Sequence, residues 1–192
     1  MADFGSLPFE EQLAISERAR DERRPLLERW STLGAETPSG WERRAALVAR
    51  LLVGEPAVVD LGCATMVLER YLAPGQRYIP VDVVARDART IVLDLDHDEL
   101  PSFDVRTCTL LGVLTYLYDP AAALRKVAER FSRCLLSYDV APLDATLVAK
   151  GRRNTISLRN LKTMIGDAGW RIAGEVRLTS GEQLFDLVRP EP

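Results

Sequence analysis

The chain has 192 residues, 47% of them hydrophobic and 28% charged, enough for one well-packed domain and too few for two of ordinary size. A formal net charge of −3 speaks against a broad electrostatic footprint for nucleic acid, and no run of about 18 apolar residues offers a membrane span. The first twenty residues are acidic and mixed rather than basic and then apolar, so no secretory leader is read and a cytoplasmic protein is expected. Cys63, Cys108 and Cys134 are far apart in apolar segments, as buried thiols are. With His97 the single histidine and no Cys-x-x-Cys pair, no metal site is expected.

In chain order, Phe9–Leu33 carries Leu13, Ile15, Ala19, Leu26, Leu27 and Trp30 among many charges, which predicts two short helices or one broken at Pro25. The mixed-sign run Glu17–Arg24 reads as a solvated face. Thr37, Pro38, Ser39 and Gly40 predict a turn, and Trp41–Leu52 a helix with Trp41, Ala45, Leu47, Val48 and Leu51 on one side. Residues 1–53 are therefore expected to form a helical extension that lies as a lid over an α/β domain spanning 54–192.

From Gly54 onward, short apolar runs alternate with helical segments, the pattern of parallel βαβ units. Strands are predicted at Ala57–Leu61, Tyr78–Val83, Thr90–Leu93, Val105–Leu110 and Cys134–Tyr138. Helices are predicted at Met66–Leu72, Pro120–Phe131 and Leu158–Ala168, and two closing strands at Trp170–Leu178 and Gln183–Arg189.

In such a sheet, ligands bind beyond the carboxyl ends of the strands, so what each strand ends on carries the functional signal. The first ends on Asp60 and a turn containing Gly62 and Cys63. A carboxylate at that mouth would repel a pyrophosphate and suits a ligand with a cationic end and a neutral nucleoside end. The second strand ends on Asp82 and Val83; Asp82 follows Asp60 by 22 positions and can accept hydrogen bonds from both hydroxyls of a ribose. The third ends on Asp94 and Leu95, with Asp96 and Asp98 competing for the same place. A dinucleotide fingerprint and a Walker A loop are both absent, since Gly62 is the single glycine between Asp60 and Ala73.

These features resemble the class I, Rossmann-like methyltransferases that use S-adenosylmethionine (SAM), whose first motif is an acidic residue followed by x-G-x-G-x-G. Asp60 and Gly62 match it, while Ala64 and Met66 stand at its second and third glycines. The segment from Asp104 through Leu111, Gly112, Val113 and Leu114 to Leu117 is similar to the family's fourth strand and following turn, with Thr115 in place of a frequent glutamate. The Ala168-Gly169-Trp170 turn and the last strand pair resemble its C-terminal end.

The resemblance implies a three-layer α-β-α sheet, mostly parallel with an antiparallel last strand, plus the N-terminal helices. It implies SAM as cofactor, held by Asp60, Gly62, Cys63, Asp82, Val83, Asp94, Leu95 and Leu111. In the family the third-strand acid pairs with the adenine amino group while its apolar neighbour packs on the ring.

With Ala64 and Met66 in the turn, either ordinary φ values are used or the ligand sits farther from the backbone. The expected activity is methyl transfer to a small-molecule acceptor, with a catalytically silent binding or regulatory subunit as the alternative. No catalytic residue is assigned; Tyr116, Tyr138 and His97 are the candidates for proton removal. Lys150, Arg152 and Arg153 form a basic cluster that either attracts an anionic substrate or is a solvated loop. A homodimer or a protein partner is left open.

Overall fold

The computed structural model describes residues 3–34 and 39–190. Seven strands, β1 (Ala57–Leu61), β2 (Arg77–Asp82), β3 (Ile91–Val92), β4 (Thr107–Leu111), β5 (Arg133–Tyr138), β6 (Arg171–Arg177) and β7 (Gln183–Val188), form one sheet. Their order is β3-β2-β1-β4-β5-β7-β6. Pairing is parallel from β3 through β5, and β7 runs antiparallel to both of its neighbours. The strand order therefore reverses between β1 and β4, which opens a crevice at their carboxyl ends.

All five residues of β1 are buried, as a strand covered on both faces requires. Alternation then sorts its side chains: Val59 and Leu61 join the apolar layer under two helices, α4 (Pro120–Arg130) and α6 (Leu158–Asp167), whereas Val58 joins the opposite layer. That opposite layer is built on α3 (Ser39–Leu51), whose Ala45, Val48 and Ala49, with Leu52 just beyond its end, are buried against Val58, Leu135 and Leu184. The spacing of these four residues forms one helical stripe, and burial of each larger side chain contributes about 1.5–3 kcal/mol.

Local chemistry sets the helix ends. Asp119 caps α4 by accepting from the Ala122 amide, with Pro120 in its first turn. Ser157 caps α6, and Gly169 follows it at φ +86°. The N-terminal segment breaks as expected into α1 (Phe9–Asp21) and α2 (Leu27–Ser31), with Pro25 between them.

Two expectations are corrected, and one helix was not expected. Of the turn read over 37–40, Thr37 and Pro38 lie outside the described residues, while Ser39 and Gly40 already belong to α3. The segment predicted as a helix at Met66–Leu72 is a 3-10 helix, Val67–Tyr71, because Met66 enters it in the left-handed region and Leu72 leaves it extended. A five-residue helix, α5 (Ala145–Ala149), occupies the loop after β5, capped by Asp144; it is too short to show a period.

Candidate active site

The turn after β1 keeps a glycine-type path with two residues that are not glycine. Gly62 has φ +76°, and a β-carbon there would fall 2.4 Å from Val113 Cγ2, so both conformation and space require glycine. Ala64 and Met66 also adopt positive φ, +46° and +53°. Ordinary φ values are therefore not how this chain accommodates them. Each left-handed residue of this kind costs roughly 1–2 kcal/mol, and local bonds offset it. The Gly62 and Cys63 amides donate to the Val81 carbonyl, the Ala64 amide donates to Asp82 Oδ2 at 2.8 Å, and the Met66 amide donates to the Cys63 carbonyl. Met66 packs its side chain against the α3 layer.

Above this turn lies a cavity of about 380 Å³, within the range of small-molecule sites (about 300–1,000 Å³). Asp60, Gly62, Asp82, Val83, Asp94, Leu95 and Leu111 all line it. Cys63 does not; its side chain is buried in the α3 layer, where desolvation raises its thiol pKa. Trp30 of α2 and Trp41 of α3 also line the cavity.

The three expected carboxylates stand in different environments. Asp60 is buried, with Oδ1 accepting from the Thr109 hydroxyl at 2.5 Å and Oδ2 from the Tyr78 hydroxyl at 2.7 Å. Burial raises its pKa against the opposing pull of those two hydroxyls and Arg44. Asp82 is already in use on both oxygens: Oδ2 accepts from Ala64, and Oδ1 accepts from the Val84 amide and from Arg86 Nη2 at 3.0 Å. Asp94 accepts from the Asp96 amide on one oxygen and meets His97 Nδ1 at 2.9 Å on the other. Its rival Asp96 also lines the cavity, but its oxygens are held by the Tyr118 and Asp119 amides.

Of the three candidates for proton removal, Tyr116 alone lines the cavity. Tyr138 is fully buried, donating to Asn154 Oδ1 and accepting from the Ile156 amide, a brace for the loop before α6. His97 is half exposed and tied to Asp94. Thr115 is buried on the cavity wall, so that wall carries a hydroxyl where a carboxylate was frequent.

Several cavity residues escaped the sequence reading. Arg44 of α3 donates through Nη1 to Glu182 Oε1 at 2.6 Å, and Ser137 donates to the same oxygen; Arg44 Nε is buried without a partner among the described residues. The signal for Glu182 was available: β7 runs against the sheet, so its beginning lies where the parallel strands end. Asp139, just past β5, pairs at 2.7 Å with Nη2 of Arg152; Arg152 and Arg153, read in the sequence as part of a basic cluster, line the cavity with it. No group of acids, histidines and cysteines suited to a metal occurs among the described residues.

No protein-family model matches the chain, and no curated protein matches it in sequence. Solved structures do match in shape. A provisionally assigned O-methyltransferase from Nostoc punctiforme PCC 73102 superposes with a TM-score of 0.70 at 16% identity, over 97% of this chain and 70% of that one. Human N-acetylserotonin methyltransferase, solved with SAM, gives 0.65 at 17% identity, over 96% and 61%. The [4+2]-cyclase SpnF gives 0.64 at 13% identity, over 79% and 81%. The strand order, the antiparallel last strand and these superpositions establish that the chain has the Rossmann-like fold of the class I SAM-dependent methyltransferases.

Proposed function

We propose that the protein binds SAM in the cavity over β1, β2 and β4 and transfers its methyl group to a small-molecule acceptor. The observation that carries this reading is one cavity faced by Asp60, Asp82 and Asp94, each at or just beyond the end of a parallel strand, with a glycine-type turn beneath it. In this reading Asp60 takes the ammonium of the methionine end, and Arg44, ion-paired with Glu182 but with its buried Nε without a partner among the described residues, donates that N–H to its carboxylate. The ribose lies toward Asp82 and Val83, and the adenine toward Asp94 and Leu95. Gly62 and Leu111 supply close backbone, and Cys63 contributes its main chain alone.

The sulfonium makes the methyl group electrophilic when the cofactor is bound. The chain's part is to hold the acceptor in line and exclude water beneath Trp30 and Trp41. Tyr116 is the hydroxyl on the wall that can accept or relay the acceptor's proton. α1 and α2, within residues 1–53, serve as the lid.

The test is calorimetric titration with SAM and with S-adenosylhomocysteine. Saturable binding that weakens at least about tenfold in Asp60→Asn is expected, the loss of one charge-assisted contact of about 1.5–3 kcal/mol. Absence of binding in a folded sample would overturn the reading. One observation favours a silent binding module instead: Asp82 is already engaged by Arg86 and two amides. SpnF, named as a cyclase, has the same fold, so activity on an acceptor is to be measured separately from binding.

A further inference from the structure

Resting on the reading above, we infer that the acceptor is an aromatic compound bearing a single carboxylate, with that carboxylate held by Arg153. Three arginines line the cavity, and two are neutralised within the protein: Arg44 by Glu182 and Arg152 by Asp139. Arg153 has no ion-pair partner among the described residues. Its contacts are an Nη1 donation to the Ser16 carbonyl at 3.2 Å, a backbone amide donation to the Thr115 carbonyl at 2.8 Å, and the face of the Tyr118 ring, whose centroid lies 5.2 Å from the guanidinium carbon. Asp96, the acid whose field it feels, is held on both oxygens by backbone amides. Burial, with Arg20 and Arg24 close by, lowers the Arg153 pKa below the ordinary guanidinium value. The Tyr118 ring and the Ser16 carbonyl recover part of the desolvation cost of this half-buried guanidinium, and a ligand anion in the same cavity relieves the remainder.

The neighbouring walls select the rest of the ligand. The hydrogen bond from the Arg153 amide to the Thr115 carbonyl brings its backbone next to the segment of Tyr116, whose ring lines the cavity and meets Trp30 edge to face at 4.8 Å, and the Arg29 guanidinium lies over both rings. Such a corner takes a planar ring. Asp94, which lines the same cavity and has no arginine or lysine partner among the described residues, disfavours a dianion such as a phosphate monoester. A planar guanidinium fork matches a carboxylate in two hydrogen bonds.

The experiment titrates salicylate against salicylamide, and vanillate against vanillamide, into the protein with and without S-adenosylhomocysteine. At least one carboxylate is expected to bind about tenfold or more tighter than its amide, since a charged hydrogen bond contributes about 1.5–3 kcal/mol. The preference should disappear in Arg153→Gln and be partly kept in Arg153→Lys, while S-adenosylhomocysteine affinity stays unchanged in both. Equal binding of acid and amide in every pair, or a preference that survives in Arg153→Gln, would overturn the inference. Because the cofactor product is titrated separately, failure of the cofactor reading shows as absent S-adenosylhomocysteine binding, independently of the carboxylate result.

Discussion

Ala64 and Met66 show what a side chain does in a place suited to glycine. Both hold positive φ, and Ala64 presents a single methyl to the cavity while its amide is needed by Asp82. Ala64→Gly removes the left-handed strain but adds backbone freedom to the unfolded chain, terms of about 1–2 and 0.4–1 kcal/mol. A net gain of about 0.5–1 kcal/mol is expected, read as a higher midpoint in urea with an unchanged slope; a lower midpoint would mean that the turn is not strained at residue 64. Asp60 is the other residue under tension. Desolvation raises its pKa, so the native state binds its proton more readily than the unfolded chain does. Stability then falls as pH rises from the ordinary carboxylate range through the raised value, and the loss persists above it. Asp60→Asn is therefore expected to be more stable than the parent at neutral pH, by about 1 kcal/mol, with the difference shrinking on acidification. Thermal melts of both proteins across that range check it; a difference independent of pH would remove the assignment. Cofactor binding, which favours the carboxylate, should strengthen as pH rises through the same window.

At the scale of elements, what was legible follows from how much of each signal is local. β1 was read to the residue because five consecutive buried positions between Pro56 and Gly62 leave no other register. The helices α4 and α6 were read closely because Asp119 with Pro120, and Ser157 with Gly169, mark their ends in the sequence. β3 is two residues long against four expected, since pairing with β2 stops after Val92, and pairing is a tertiary fact. The 3-10 helix Val67–Tyr71 was hidden because two positive-φ residues before it are set by the turn's tertiary bonds and not by propensity. The site divides in the same way. Residues at parallel strand ends were readable, and seven of the eight line the cavity; Cys63 was not separable from Gly62 because the direction of a turn side chain depends on the turn. Arg44 and Asp139 were missed because they enter through ion pairs formed by the fold, of which one sequence gives no sign, whereas Arg152 and Arg153 were read as a basic cluster.

For the molecule as a whole, α1 and α2 are held by polar contacts to α5 and to the loop after β4, whereas α3 packs on the sheet. Ser16 donates to the Ala149 carbonyl, Tyr118 donates to the Ala19 and Arg24 carbonyls, and Arg29 donates to the Lys150 carbonyl. Their own apolar cluster is small, built on Phe4, Ala19 and Leu26. Regions held mainly by such contacts open at lower free energy than a sheet covered on both faces. One link differs from the rest, because Arg86 donates to the Trp30 carbonyl at 2.8 Å and to Asp82 at 3.0 Å through separate nitrogens. It ties α2 to the acid proposed to face the ribose, so occupancy of the cofactor site and order in α2 should be coupled. Removing the guanidinium also leaves Asp82 buried without its cation, a loss of about 3 kcal/mol. In Arg86→Met, amide hydrogen exchange is expected to accelerate through α2 by more than in β1, β4 and β5. S-adenosylhomocysteine should slow exchange in α2 of the parent protein and leave it unchanged in the variant. Equal protection of α2 in both proteins would show that α2 is held independently of Arg86, by contacts such as that of Arg29 with the Lys150 carbonyl.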